Sequence, residues 1–221
     1  MKNTRKEFFI LSVLLVFSSL GLRLSFTWGS QSYFFSLLAI FLPMVGVLFK
    51  TKKSVGVVAV YFFMRAVALR VGVPFTFGLP SLCSAANWSS HEREAKYAKV
   101  QRFLLNIILP LVCMIIFMVH PIGRVAWMYS FYWFIPVGLY FLKKQSVFTT
   151  SLQSSFIAHA VGSIFWLFFV PMSPERWIAL IPIVAVERLL FALAGVAVYR
   201  AIKRVMEFSW ILRSQPVQDG R

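Results

Sequence analysis

The chain has 221 residues, of which 59% are hydrophobic and 14% are charged, whereas soluble domains carry about a quarter charged residues. A water-soluble domain of this length has too small an interior for so much apolar surface, so the composition excludes an ordinary soluble protein. The net charge of +16 arises mostly from short basic clusters between apolar runs, which is typical of membrane topology signals and excludes nucleic acid as a favoured partner.

Seven apolar segments approach the roughly 20 residues that a helix needs to cross a hydrocarbon core of about 30 Å. In chain order they are Phe8–Trp28, Tyr33–Leu48, Val55–Val71, Phe103–Val119, Val125–Leu142, Thr150–Val170 and Trp177–Tyr199. Each is predicted to be helical, because a backbone in hydrocarbon must satisfy its own hydrogen bonds. The predicted fold is therefore all-α, a polytopic transmembrane bundle over residues 1–212 with a short polar tail at 213–221.

An eighth segment, Pro74–Trp88, is mostly apolar but is interrupted by Gly78 and Pro80. It is compatible with a discontinuous helix, a re-entrant loop or an interfacial element. The basic start of the chain also allows a cleavable signal peptide over the first segment. That segment is long enough to span and further spans follow, so a retained first helix is the simpler interpretation.

The basic clusters orient the predicted helices by the positive-inside rule. Residues 2–6 place the N-terminus in the cytoplasm. An even number of crossings between Lys53 and Phe103 keeps most later basic residues inside as well. Either Pro74–Trp88 crosses, giving eight crossings, or 55–88 dips in and returns, giving six. Both alternatives put the two termini in the cytoplasm, as expected for a bacterial inner-membrane protein.

Four ionisable residues lie near the middle of predicted spans, namely Arg65, His159, Glu187 and Arg188. A charge at this depth costs roughly 2.5–3.5 kcal/mol on insertion scales, so such residues face a bundle interior or a cavity. Three different segments place them at similar depth, which is where transporters hold their substrates.

Glu187 and Arg188 are adjacent, so their side chains leave the helix about 100° apart. We therefore expect Glu187 to pair with Arg65 or His159 on another helix. At least one arginine would then lack a carboxylate and be available to an anionic small molecule or a lipid headgroup. The alternative is a buried ion-pair network that only locks the helices together.

Ser151, Ser155, His159 and Ser163 recur every four residues, so they share one helix face. One interpretation is the wall of a polar cavity, in which Ser155, His159 and Ser163 contact a ligand. The other is close helix packing through small residues. The number of polar side chains favours the cavity wall.

The sequence contains no nucleotide-binding, zinc-protease or serine-hydrolase motif. It therefore predicts no cofactor, no metal site and no catalytic residue, and it gives no support to an enzyme. The first functional hypothesis is the binding or transport of a small, anionic solute. The second is a membrane scaffold or assembly factor, whose basic cytoplasmic face, including residues 91–102, recruits a protein partner. The third is an intramembrane enzyme that acts on a lipid-like substrate.

Overall fold

The computed structural model describes residues 2–20, 23–28, 31–69, 78–92 and 97–211. The predicted polar tail at 213–221 lies outside these residues. In chain order the elements are α1 (Lys2–Ser19), β1 (Arg23–Trp28), β2 (Gln31–Ser36), α2 (Leu38–Leu48), α3 (Thr51–Leu69), α4 (Leu79–His91), α5 (Ala98–Val119), α6 (Pro121–Val125), a 3-10 helix (Trp127–Trp133), α7 (Phe134–Tyr140), α8 (Val147–Phe169), α9 (Pro174–Ala179) and α10 (Ile181–Ile211).

Among the described residues, three helices are long and apolar enough to cross a membrane. They are Ala98–Val119, Val147–Phe169 and the part of α10 from Ile181 to Glu207. They overlap the predicted segments Phe103–Val119, Thr150–Val170 and Trp177–Tyr199, although the start of the last segment, Trp177–Ala179, belongs to the separate helix α9. The prediction of a helical fold with membrane-spanning helices is confirmed at this level. The count of six to eight crossings stays a prediction.

The predicted spans Phe8–Trp28 and Tyr33–Leu48 differ from the structure at the end of the first and the start of the second. α1 ends at Ser19, and β1 and β2 form an antiparallel hairpin in which Phe26 lies opposite Tyr33. β1 alternates polar and apolar residues along its length, and this alternation has the period of a strand. The apolar content of the predicted span Phe8–Trp28 concealed this change of period, so the prediction of a continuous helix to Trp28 is wrong.

The predicted span Val125–Leu142 is also not one continuous helix. It contains the end of α6, the seven-residue 3-10 helix and the seven-residue α7. Pro136 has no N–H with which to bond the carbonyl of Tyr132, so a regular α-helix cannot run through this point. The 3-10 helix and α7 together are about 25 Å long.

α4 is a short helix at the centre of the molecule, and it contains the described part of the segment Pro74–Trp88. Its 13 residues measure about 20 Å, less than a hydrocarbon core. It packs against α2, α3, α5 and α8. A Cβ atom on Gly46 of α2 would lie 2.1 Å from the carbonyl oxygen of Ala85, so the glycine permits close approach of the α2 and α4 backbones.

Two hydrophobic clusters flank α4. The first joins α1, α2, α3 and α4 around residues such as Leu42, Val45 and Trp88. The second joins α5, the 3-10 helix, α8 and α9 around the ring of Phe117, which lies within 5.4 Å of the Trp133 and Trp177 rings. α8 lies between the two clusters, and its polar face is therefore buried inside the bundle.

Candidate polar site between α8 and α10

The Glu187 carboxylate pairs with its own neighbour on α10. Glu187 Oε1 lies 2.6 Å from Arg188 Nη2, and the two side chains are only 15% and 9% exposed. The expectation that Glu187 pairs with Arg65 or His159 is therefore wrong. The 100° divergence applies at the Cβ atoms, whereas the long arginine stem bends back far enough for the charged groups to meet.

The Arg188 guanidinium also connects α10 to α8. Its Nη1 donates a hydrogen bond to the backbone carbonyl of Ser155 at 3.3 Å, and its Cζ lies 4.7 Å from the centre of the Phe191 ring. Its Nε is buried and has no hydrogen-bond partner among the described residues. Arg188 thus retains an unused Nε–H donor, although its positive charge is balanced by Glu187.

His159 lies one turn beyond Ser155 on the same face of α8. Its ring centre is 5.4 Å from that of Tyr129 in the 3-10 helix. His159 Nε2 is buried, and the described part of the chain offers it no hydrogen-bond partner. Ser163, a further turn along, shares a hydrogen bond with the Tyr129 hydroxyl at 3.3 Å.

The Ser155 hydroxyl is a third polar group of this kind. Its Oγ is buried and makes no hydrogen bond within the described residues, His159 included. It lines a cavity of about 20 Å³ together with Ser84, Ser151 and Ser154. A cavity of this size holds about one water molecule. Three serines of the polar face of α8 therefore line a very small cavity, whereas His159 and Ser163 are not among the residues that line it.

The same face also packs closely against α10. Ser151 Oγ donates to the carbonyl of Ala192 at 2.9 Å, and a Cβ atom on Gly195 would lie 2.2 Å from that hydroxyl. Small residues on both helices therefore bring the backbones together. This face thus combines close packing at Ser151 with an unpartnered hydroxyl at Ser155. The contact of Ser155, His159 and Ser163 with a ligand stays a prediction.

Arg65 is separate from the other five predicted site residues. Its Nη1 donates to the Tyr61 hydroxyl at 3.2 Å, one turn earlier on α3. α3 packs mainly against α2 and α4. Within the described ranges no hydrogen bond or ion pair joins Arg65 to α8 or α10. The structure brings together Ser155, His159, Ser163, Glu187 and Arg188, with Tyr129 as a member that the sequence did not indicate.

A second polar region, which we call the amide cluster, consists of Asn87, Asn106 and Ser154. Asn106 Nδ2 donates to Asn87 Oδ1 at 2.8 Å, and Asn87 Nδ2 donates to Ser154 Oγ at 2.9 Å. These bonds join α4, α5 and α8, and all three side chains are at most 2% exposed. Sequence reasoning missed this cluster. An amide within the apolar run of α5 was the available signal.

A π-helical turn positions Asn106. Residues Leu104–Ile108 form this turn, two to six residues before Pro110, which has no N–H to bond the carbonyl of Asn106. Asn106 Nδ2 also bonds the carbonyl of Arg102 at 2.9 Å. The turn therefore directs an amide toward α4 and is stabilised by that same amide.

The C-terminal end of α4 contacts α10 through charged groups. Glu92 pairs with Lys203 of α10, whereas Lys96, with which Glu92 would pair on a continuous helix, lies outside the described residues. Burial, assisted by the positive charge of Arg102, lowers the pKa of His91 to about 4. The described part of the chain contains no group of three or more His, Cys, Asp or Glu residues that could hold a metal ion.

Comparison with known protein families, curated proteins and solved structures finds no match to this chain. The site therefore has to be interpreted from its own chemistry.

Proposed function

We propose that this protein is a multi-pass membrane protein that binds a small polar solute between α8 and α10, as a step in its transport. One observation carries the proposal. Arg188 Nε, Ser155 Oγ and His159 Nε2 are buried on α10 and α8, which Arg188 joins by its bond to the Ser155 carbonyl, and none of the three atoms finds a hydrogen-bond partner among the described residues. Buried polar groups in native proteins are nearly always bonded, so this group of donors and acceptors fits a ligand or water.

The charges of the site favour a neutral or zwitterionic solute. Glu187 already neutralises Arg188, so an anion would have to compete with a carboxylate 2.6 Å from the guanidinium. A molecule with its own donor and acceptor groups would instead use Arg188 Nε together with Ser155 and His159. This refines the expectation of an anionic solute, which rested on an arginine without a carboxylate.

The proposed setting is a bacterial inner membrane, with six to eight crossings and both termini in the cytoplasm. The support is the distribution of basic residues, since Lys143 and Lys144 precede α8 and the C-terminal cluster follows α10. Single cysteines at Lys144 and Ser173, in a chain with Cys83 and Cys113 replaced by alanine, test this. We expect an impermeant maleimide to label only Ser173→Cys in intact cells.

Ser155→Ala tests the solute site. Removing an unpartnered buried hydroxyl should leave the ligand-free protein as stable as wild type or slightly more stable. A bound solute at 100 times its Kd stabilises the wild type by about 2.7 kcal/mol, and Ser155→Ala should lose much of this shift. The measurement is thermal unfolding in detergent with a panel of amino acids, carboxylic acids, sugars and nucleosides.

Ser54→Ala of α3 is the matched control, because its buried hydroxyl already donates to the carbonyl of Phe49 and does not line this cavity. It should destabilise the protein by about 1 kcal/mol and keep the ligand shift. A compound whose shift is equal in wild type, Ser155→Ala and Arg188→Lys would bind elsewhere and contradict the proposed site.

The second candidate is a membrane scaffold or assembly factor in which these charges are structural. Direct pairing of Glu187 with Arg188 and the water-sized cavity favour it. In that case no compound of the panel should stabilise the wild type. For the third hypothesis, an intramembrane enzyme, the structure offers less support, because Ser155 Oγ and His159 Nε2 do not bond each other.

A further inference from the structure

An open groove of about 630 Å³ lies between α1 and α3, away from the solute site. Leu15 and Ser19 of α1 line one side, and α3 lines the other from Lys53 to Met64. Gly56 lies in this lining, and a Cβ atom placed on it would meet no atom within 4 Å. The absence of a side chain at this position therefore keeps the groove wide at the Lys53 end.

The helices on both sides of the groove are apolar on their outer surfaces. On α3, Val60 and Met64 are 61% and 59% exposed, and on α1 Phe9 and Val16 are exposed to a similar degree. In a chain with membrane-spanning helices, such surfaces face lipid. This inference rests on the proposed multi-pass setting, in which α1 and α3 cross the membrane and the groove between them opens toward hydrocarbon.

The charge is concentrated at one end of the groove. Lys53 lines it there, and its Nζ lies 3.8 Å from the centre of the Phe49 ring. Lys50 and Lys52 lie within one turn, and both are exposed. No acidic residue is among the groove-lining residues, so this end attracts a negative group.

The length of the groove matches one leaflet of a bilayer. Met64 lies eleven positions after Lys53, so the α3 wall is about 16 Å long. Half of a hydrocarbon core is about 15 Å. An acyl chain whose headgroup lies beside Lys53 would therefore reach the Met64 end at about the middle of the membrane.

We propose that the groove between α1 and α3 binds one anionic phospholipid, with an acyl chain along Gly56 and its phosphate beside Lys53. Basic pockets next to membrane helices bind anionic headgroups by the same combination of charge and apolar area. This site is independent of the solute site, and either can exist without the other.

Native mass spectrometry of the full chain, released from detergent micelles, tests the proposal. The micelles contain phosphatidylglycerol or phosphatidylcholine with identical oleoyl chains. We expect one phosphatidylglycerol to remain bound to wild type in preference to phosphatidylcholine. Lys53→Gln should reduce that preference about fivefold, which is the contribution of one lysine near an anionic surface.

Gly56→Leu fills the groove and should remove most of the retained lipid of both kinds. Gly138→Leu is its matched control, because a Cβ atom at Gly138 of α7 also meets no atom within 4 Å and Gly138 is not in the groove. Lys143→Gln, an exposed lysine before α8, is the control for Lys53→Gln. Both controls should retain lipid as wild type does.

Two results would overturn the proposal. One is equal retention of phosphatidylglycerol by wild type and Gly56→Leu, with Gly56→Leu folded by circular dichroism. The other is a lipid-free dimer in wild type that becomes monomeric in Gly56→Leu, which would assign the groove to a second copy of the chain. Equal binding of the two lipids by wild type would refute the role of Lys53.

Discussion

Two buried polar regions involve α8, namely the amide cluster and the proposed solute site around Arg188, here called the Arg188 site. They differ in how far their polar groups are hydrogen-bonded. In the amide cluster, Asn87 bonds both Asn106 and Ser154, so three helices are joined by neutral groups. At the Arg188 site the charge is neutralised within one helix, and three nearby polar atoms lack partners among the described residues.

This difference separates a structural role from a binding role. The side-chain hydrogen bonds of the amide cluster fix the positions of three helices, and its unpartnered atom among the described residues is a single acceptor, Asn106 Oδ1. A site with unused donors and acceptors is costly to the fold unless something else binds there. We therefore infer that the amide cluster stabilises the bundle, and the proposal of a solute site rests on the α8–α10 side.

The largest effect is expected from Glu187→Gln. Arg188 would remain buried without a carboxylate, which should lower the free energy of unfolding by about 3–5 kcal/mol. Unfolding in mixed detergent micelles measures it. The double variant Glu187→Gln with Arg188→Gln should recover part of the loss, since no unpaired charge remains. A single variant as stable as wild type would show that the pair is not effectively buried.

Asn87→Leu should have the next largest effect, lowering the free energy of unfolding by about 2–4 kcal/mol. It leaves Asn106 without its acceptor and Ser154 without its donor, and each orphaned group costs about 1–3 kcal/mol. The control is Ser90→Ala, because among the described residues that hydroxyl bonds only the nearby carbonyl of Asn87. Equal effects of the two substitutions would argue against the cluster as a joint between helices.

The pH dependence should come next in size. The pKa of His91 is about 4 in the folded protein, against an ordinary value of 6.5, because burial and then Arg102 disfavour its charged form. The unfolded chain therefore binds the proton more readily. The free energy of unfolding should have its full value above pH 6.5 and fall by at most about 3 kcal/mol as the pH drops toward 4. His91→Gln should flatten a plot of melting temperature against pH over this range, and an unchanged slope would assign the effect to other groups.

The smallest effect is expected from Lys203→Gln, which removes the ion pair between α10 and Glu92 at the end of α4. Lys203 is 34% exposed, so water screens the pair and the loss should be about 1 kcal/mol or less. Arg204→Gln, on the exposed face of the same helix, should change nothing measurable. A loss as large as that for Asn87→Leu would extend the structural network to this end of α4.

α8 shows how far apolar length predicts an element. The predicted span Thr150–Val170 agrees with Val147–Phe169 to within three residues. The helix starts earlier because Ser146 and Thr149 form a reciprocal capping box through their side chains and backbone N–H groups. A polar cap before the apolar run is invisible to hydropathy, so the start was missed.

β1 and the 3-10 helix show where the same reasoning fails. Both lie in segments whose apolar content equals that of a span, and hydropathy does not distinguish a strand, a 3-10 helix and an α-helix. The alternation in Arg23–Trp28 and Pro136 in the later segment were local signals of different backbone geometry. In these two segments, the local sequence pattern predicts the backbone conformation better than the length of the apolar run does.

The amino-acid sequence by itself determined that this chain forms helices long and apolar enough to span a membrane and that His159, Glu187 and Arg188 lie within them, because both follow from the order of apolar and charged residues along the chain. Tertiary structure alone decided which polar groups meet. Glu187 pairs with Arg188 and not with Arg65, and Asn87 bonds Asn106. Side-chain conformation and the packing of neighbouring helices set these distances, and neither produces a repeating pattern in the sequence.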